Sequence, residues 1–324
     1  MTTKELLDRF FSEVYGGREH IYQNRLDNAK LYAYEAEIGK PLCQMNTAEV
    51  KELLFRLSNN DFGKGKVNIA YRTYAGTLVL MKGFFDWYIE NVEVIRNPCN
   101  GKDLTASTNM AEFVDIDDLM TPEHMENAIR KIREERAEIT ADYWEAIIRM
   151  FYEGFPNALA ITRCKTTDID HELKTARLEL VTIQLSHRLY ELLKIINERD
   201  KMPFAKGYCA LLSYHDSYFK FPVLKKRIEV YEELPETEFS GHITRVLNKD
   251  IRPYFDVTVN ARILYYRGFY DWLCRKMGAN EVKRIAAIDK DYIKSGVLSK
   301  FAREYGIVDK NVSSIKNALM PYTL

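Results

Sequence analysis

Lysines and arginines interleaved with tyrosines are the residues of this chain whose types and spacing could do chemistry. From 201 to 228 six basic residues, Lys201, Lys206, Lys220, Lys225, Lys226 and Arg227, stand against Asp216 alone. From 244 to 284 there are nine basic residues against four acidic. Tyr208, Tyr214, Tyr218, Tyr254, Tyr265 and Tyr266 fall in the same stretches. Cations along a surface neutralise phosphates and release their counterions, and aromatic rings among them can stack on bases, so the pattern suits a nucleic acid. A solvated helix face has the same composition, and charge alone does not choose between the two.

Other chemistries find less support. The chain has no GxxxxGK[ST] loop, no GxGxxG after a strand, no HExxH and no GxSxG. Its six histidines, His20, His124, His171, His187, His215 and His242, show no metal-ligand spacing. Asp168, Asp170 and His171 have the residue types of a metal or acid–base cluster, but aspartates two apart before a β-like patch read as turn formers. The run Glu229, Glu232, Glu233, Glu236 and Glu238 reads as an exposed acidic face. Cys43, Cys99, Cys164, Cys209 and Cys274 are odd in number, far apart and without CxxC spacing, which predicts buried or half-buried thiols in a reducing compartment. No catalytic group, metal or cofactor follows from these residues.

The whole-chain composition bounds the answer further. The 324 residues carry 47 basic and 47 acidic side chains, a formal net charge of zero, which excludes a generally polycationic protein. Hydrophobic residues at 46% and charged residues at 29% describe a folded chain long enough for two domains. No apolar run reaches the roughly 20 residues of a membrane span. The opening MTTKELLDRF reads as a helix rather than a secretory signal.

Helices must position whatever the basic residues do. Thr2 and Thr3 cap a first helix that buries Leu6, Leu7, Phe10 and Phe11. A second carries Leu26, Leu31 and Tyr34 and stops near Gly39, and a third opens at Thr47 with Val50, Leu53 and Leu54. After the glycine-containing loop 59–66 a long fourth helix follows, with Leu80, Phe84 and Tyr88 on its buried side. Asn97–Pro98 ends this unit, because the residue before proline is biased away from the helical region. The small and polar residues 99–111 read as a linker. Residues 112–324 are again mainly helical, with apolar stripes on Trp144, Ile147, Ile148 and Phe151, on Leu189, Leu192, Leu193 and Ile196, and on Tyr266, Phe269, Tyr270, Leu273 and Met277. A β-like patch spans Ala176 to Leu185. The charge divides unevenly: residues 1–118 hold 14 basic and 18 acidic side chains, so this part is −4 and the rest +4.

Residues 1–98 resemble the core-binding domain of tyrosine recombinases, the phage integrases. The matching residues are Ile69, Tyr71, Arg72, Leu78, Met81 and Lys82, then Gly83–Phe84–Phe85–Asp86–Trp87, with Ile95 and Asn97–Pro98 behind. The second half resembles the recombinase catalytic domain in two segments. Phe151 to Asp170 has the shape of the helix–turn–helix that holds the family's first catalytic arginine, and Tyr266 to Gly278 that of the helix opening Leu-Arg-His.

The chain departs from that pattern where catalysis would need it most. The family attacks a phosphodiester with a tyrosine and steadies the transition state with two arginines, a lysine and histidines. Here Phe155, Pro156 and Asn157 fill the registers of the first arginine, and the hairpin of the catalytic lysine is cut short between Leu178 and Thr182. Leu264 stands for the histidine ahead of Arg267, with Gly268 after it, and Ala286–Ala287–Ile288 replace the later Gly-His pair. The nucleophile's register falls near Val297–Leu298, between Tyr292 and Tyr305.

The resemblance therefore implies a mainly α, two-domain, tyrosine-recombinase-like architecture: a helical core-binding domain over 1–98, a linker over 99–111, and a mostly helical catalytic-like domain over 112–324 with a small, reduced β-sheet. It implies a sequence-specific DNA-binding protein, a phage or prophage transcriptional repressor without strand cleavage, in the cytoplasm of a bacterial host and associated with its nucleoid. The partner expected is double-stranded DNA at operator sites, closed upon by both domains like a clamp, with self-association on DNA and no membrane. The expected DNA contacts are Lys64, Lys66, Asn68, Tyr71, Arg72, Lys82, Arg163, Lys165, Lys206, Arg262 and Arg267, with no catalytic residue, metal or cofactor. A divergent active recombinase using Arg267 with Tyr292 or Tyr305, and a helical interaction protein without a DNA role, are the alternatives.

Overall fold

In a computed structural model the chain forms two compact units, Met1–Ile116 and Asp117–Leu324. The structure describes residues 1–16, 26, 28–58, 71–101, 104, 119–179, 181–199, 201–204, 207–213, 220–223, 236–287, 291–308 and 310–323. Side chains at 58, 71–73, 75 and 201–223 fall outside that description.

In the first unit, α1 (Thr3–Tyr15) begins with a reciprocal cap, the Thr2 hydroxyl accepting from the Glu5 N–H and the Glu5 carboxylate from the Thr2 N–H. Next come α2 (Asn28–Ile38) and α3 (Thr47–Ser58). Asn46, not Thr47, caps α3: its Oδ1 accepts from Ala48 N and Glu49 N at 2.9 and 3.0 Å. The Thr47 hydroxyl instead donates to the Pro98 carbonyl at 3.1 Å. The long α4 (Tyr71–Asn91) buries Tyr74, Leu80, Met81, Phe84, Phe85, Trp87 and Tyr88 against Phe10, Phe11, Leu53 and Leu54. Pro98–Asn100 makes a 3-10 turn, Cys99 and Leu104 are buried in the same core, and the Leu104 carbonyl accepts from the Tyr74 hydroxyl at 3.4 Å. The start of the expected linker thus packs into the first unit, because two apolar side chains in that polar stretch reach its core. The division falls after Ile116.

The second unit opens with α5 (Pro122–Glu135) and α6 (Glu138–Glu153). Gly154, at φ 124°, ends α6 and turns the chain into the short α7 (Ala158–Arg163), capped by Asn157. Three short strands follow, β1 (Ile169–Asp170), β2 (Thr175–Arg177) and β3 (Thr182–Gln184), paired antiparallel in chain order. Asp170 turns the chain between β1 and β2, its Oδ1 accepting from Glu172 N and Leu173 N. Helix α8 (His187–Glu198) leads to a second antiparallel sheet, β4 (Lys201–Phe204), β5 (Gly207–Ser213) and β6 (Lys220–Val223). Sequence reasoning saw one β patch and counted charges where this second sheet lies.

The rest is helical. α9 (Glu236–Arg245) runs without a break into a π-helical segment, Val246–Ile251, and a 3-10 turn, Arg252–Tyr254. Then come α10 (Ala261–Met277), α11 (Ala279–Ala286), α12 (Tyr292–Glu304) and α13 (Val312–Thr323). The fold class is mainly α with a small β component. One core gathers around Ile147, Phe151, Phe155, Leu189 and Ile243, and another around Phe269, Leu273, Leu298 and Leu319.

A buried ionic hub ties α5, α6 and α8 together. Glu145, 1% exposed, accepts from Arg133, Arg149 and Arg188 at once, and Asp142, 3% exposed, pairs with Arg133 and Arg199 at 2.8 Å each. Among the described residues, no helix is long and apolar enough to cross a membrane and no acidic, histidine or cysteine group could hold a metal ion.

Candidate nucleic-acid interface

Whether a cation can meet a phosphate depends on what already holds it. Lys64, Lys66, Asn68 and Lys206 lie outside the described residues, and of Tyr71 and Arg72 only the backbone, at the start of α4, is described. Lys82 is exposed on α4. Lys165 is exposed just after α7, its backbone N–H donating to Asp168 at 2.9 Å. Arg163 is half-exposed, but its Nε donates to Glu236 at 2.5 Å and Glu179 stands 3.8 Å from its Nη1. Arg262 is exposed, with its guanidinium over the Tyr266 ring at 5.4 Å.

Arg267 is held inward. It lies in the second turn of α10, which starts at Ala261 rather than at Tyr266. Its Nε and Nη2 donate to the two carboxylate oxygens of Asp271 at 2.9 and 2.7 Å, and both side chains are about one-seventh exposed. The rings of Tyr270 and Tyr322 lie 5.1 and 5.2 Å from its guanidinium carbon, and the Tyr152 hydroxyl also donates to Asp271. A phosphate could take this fork only by displacing Asp271. Asp271 stands four residues on, one helical turn away, where the sequence itself allows such a pairing.

Of the residues at the remaining positions of the pattern, Phe155, Leu264, Ala286 and Leu298 are buried, whereas Pro156, Asn157 and Ala287 are exposed and Val297 is half-buried. Phe155, Leu264 and Leu298 are each 0% exposed. At the turn between β2 and β3, Leu178 N donates to Val181 O at 2.8 Å. At Gly268 a Cβ would stand 1.7 Å from the Tyr152 carbonyl oxygen, so only glycine lets α10 cross the end of α6 this closely. The Tyr305 hydroxyl closes the same crossing by donating to the Tyr152 carbonyl at 2.8 Å. Its ring packs against Tyr265, Phe269 and Trp272, and burial pushes the phenol well above its ordinary value of 10. Tyr292, by contrast, is 88% exposed at the first turn of α12. Cys99 and Cys164 are buried, and burial pushes each thiol up to about 12, away from the thiolate form that reacts.

One basic face escaped sequence reasoning. Along the α9–π–3-10 stretch, Thr244, Arg245, Asn248, Lys249 and Arg252 are exposed, while Ile243, Val246, Leu247 and Ile251 are buried. Arg245 donates to His242 Nδ1 at 2.8 Å, and burial, with Arg245 beside it, lowers His242 to about 4, so the imidazole is neutral. Asp250 is the one acidic residue between Thr244 and Arg252. The signal was available as the spacing 245, 248, 249, 252 within the basic window already counted. Cations with interspersed hydroxyl and amide groups on one helical face can bind phosphates and reach base edges.

No family model matches the chain, and no curated protein matches it. Among solved structures, it is similar to a XerA recombinase at 10% identity, over 98% of this chain and 93% of that one, with a TM-score of 0.39. The Tn1549 transposon integrase in complex with circular intermediate DNA is 14% identical over 98% and 95%, with a TM-score of 0.41. The integrase from mycobacterium phage Brujita is 13% identical over 98% and 93%, with a TM-score of 0.33. Scores of this size carry neither a residue's role nor an activity across.

Proposed function

We propose that this chain is a sequence-specific DNA-binding protein, a phage or prophage transcriptional repressor that maintains lysogeny on a recombinase-like fold without strand cleavage. In length and in its pattern of scaffold without active site it resembles the master lysogeny repressor of SPbeta-type Bacillus phages. The observation that carries the reading is that the registers the resemblance gives to the first arginine (Phe155, Pro156, Asn157), a histidine (Leu264) and the nucleophile (Val297–Leu298) hold no cation, imidazole or phenol, with Phe155, Leu264 and Leu298 in the core. Side chains that form the core cannot stabilise charge on a phosphate, and each missing electrostatic donor typically costs about 10²–10³ in rate. The exposed Arg245, Lys249 and Arg252, with Lys82, Lys165 and Arg262, supply the cations for binding. Operator duplex and self-association upon it are the partners this reading requires.

Two measurements test it together. Affinity for duplex DNA fragments is expected to fall steeply with salt, since phosphate contacts release counterions. Suicide or nicked duplexes are expected to give no covalent protein–DNA adduct. An adduct lost in Tyr292→Phe would revive the divergent recombinase, and a flat salt response would favour an interaction protein without a DNA role.

A further inference from the structure

The hub around Glu145 holds more positive charge than its buried acids neutralise. Four guanidiniums, Arg133, Arg149, Arg188 and Arg199, meet two carboxylates, Asp142 and Glu145. Arginine stays charged at any ordinary pH. Two rim carboxylates answer two of the arginines: Glu126 lies 2.9 Å from Arg149 Nη2, and Glu138, 81% exposed, 3.8 Å from Arg199. Neither Arg133 nor Arg188 has an outer carboxylate within 4.0 Å among the described residues, although Glu126 lies near enough to act on the Arg188 charge. Their Nε and Nη2 atoms face inward, Arg133 to Glu145 Oε2 and Asp142 Oδ1 and Arg188 to both oxygens of Glu145. Each therefore keeps its Nη1 without a protein acceptor among the described residues.

The two meet at one atom. Both donate to Glu145 Oε2, so two like charges sit side by side, fixed from behind, with side chains 32% and 43% exposed. A shared buried carboxylate removes the rotameric freedom that a surface arginine loses on binding. What remains is a pair of half-exposed, anchored guanidiniums, each with an Nη1 group that no protein acceptor takes among the described residues, which suits a tetrahedral oxyanion bridging the two. We infer that Arg133 and Arg188 form a phosphate-binding site on the outer face of the hub, apart from the basic face of α9. The phosphate is either a nucleic-acid backbone group or a free phosphate, and the chemistry of recognition is the same for both.

The experiment uses the full chain, with inorganic phosphate and duplex DNA as probes at ionic strength matched with chloride. Calorimetric titration is expected to show saturable phosphate binding to the wild type that Arg188→Gln weakens at least tenfold. The second arm, which rests on the DNA-binding reading, separates the sources. If the ligand is a backbone phosphate, Arg188→Gln also lowers the salt slope of DNA binding by about one. If it is free phosphate, DNA binding is unchanged and only the phosphate response is lost. Wild-type chain that fails to bind DNA defeats the DNA-binding reading and leaves the phosphate arm standing. Equal phosphate titrations and equal DNA binding in wild type and a folded Arg188→Gln overturn the inference. Should that variant not fold, phosphate protection of Arg133 and Arg188 from phenylglyoxal, mapped by mass spectrometry on the wild type, decides the matter, and no protection overturns it.

Discussion

Arg267 and the Arg133–Arg188 pair use one side chain in opposite ways. Arg267 has its fork closed by Asp271 and the rings of Tyr270 and Tyr322 packed against its guanidinium. Arg133 and Arg188 are anchored just as firmly through Glu145, yet each keeps an outward edge. The family resemblance points to Arg267, while the donors left over lie on the Arg133–Arg188 pair. What an arginine can bind follows from which of its five donors the fold leaves over, and sequence position alone does not report that.

The largest effect should come from removing the anchor of the open pair. Glu145→Ala leaves three guanidiniums facing a desolvated gap, and breaking a buried pair this way costs about 3–5 kcal/mol. Urea unfolding monitored by circular dichroism measures it. Protonation should do part of the same. Burial pushes the Glu145 carboxyl up, but bonds from Arg188, Arg149 and Arg133 outweigh it and hold it at about 2, against an ordinary 4.5. A carboxylate depressed in the folded state stabilises above its unfolded pKa, and that stability is lost as pH falls from about 4.5 towards 2. The contribution is roughly 3 kcal/mol. Glu145→Gln should flatten the acid limb of stability against pH, and an unchanged limb would assign acid unfolding to other carboxylates.

Next in size is the crossing beside the closed arginine. Gly268→Ala places a methyl group 1.7 Å from backbone oxygen and 2.7 Å from the Tyr305 hydroxyl, neither of which is the end of a flexible chain. Helices α6 and α10 must separate, and overpacking of this kind typically costs about 1–3 kcal/mol, occasionally more. A midpoint within a few tenths molar urea of wild type would show that the crossing is looser than its geometry.

The closed arginine itself comes third. Arg267→Ala removes a half-buried bidentate pair and a cation held between two rings, each contributing on the order of 1 kcal/mol. Because Tyr322 belongs to α13, amide exchange in 312–323 should quicken. Salt dependence of DNA binding should stay as in wild type. A salt slope lowered by about one would instead mean that phosphate displaces Asp271, making this site resemble the open pair after all.

Much of this contrast lay beyond the sequence for a specific physical reason. Apolar periodicity gave the helices, and Leu6, Phe10, Phe84, Ile147, Leu189 and Phe269 are all buried as their spacing predicts. The helix end at Gly154 and the turn at Asp170 were equally legible, since glycine and aspartate act on their own backbone. Long-range pairing was not. Arg267 and Asp271 are four apart and their contact could be anticipated, whereas Arg188 reaches Glu145 across 43 positions and Arg133 across 12. The strands β4–β6 lack a period-2 signal, because Pro203 and Pro222 interrupt β4 and β6 and Cys209–Leu212 in β5 is a continuous apolar run. The α9 face was missed because a π segment shifts the register that an α-helical template would test.

That α9 face offers the smallest effect and the finest discrimination. Arg245, Lys249 and Arg252 are exposed along one helical stretch, each backed by buried apolar neighbours, so truncating one removes a cation without opening a cavity. Lys249→Ala should leave the unfolding midpoint within about 0.5 kcal/mol of wild type. If it contacts a phosphate, affinity for operator and unrelated duplexes should fall together and the salt slope by about one. Asn248 has the amide geometry to bind an adenine edge, so Asn248→Ala should weaken operator binding selectively, by about 1–3 kcal/mol, and leave the slope alone. Fluorescence anisotropy on operator and scrambled duplexes at several salt concentrations separates the two outcomes. Should neither variant alter binding to either duplex, this face is a solvated helix surface, and the open arginines of the Glu145 hub become the strongest phosphate contact in the second unit.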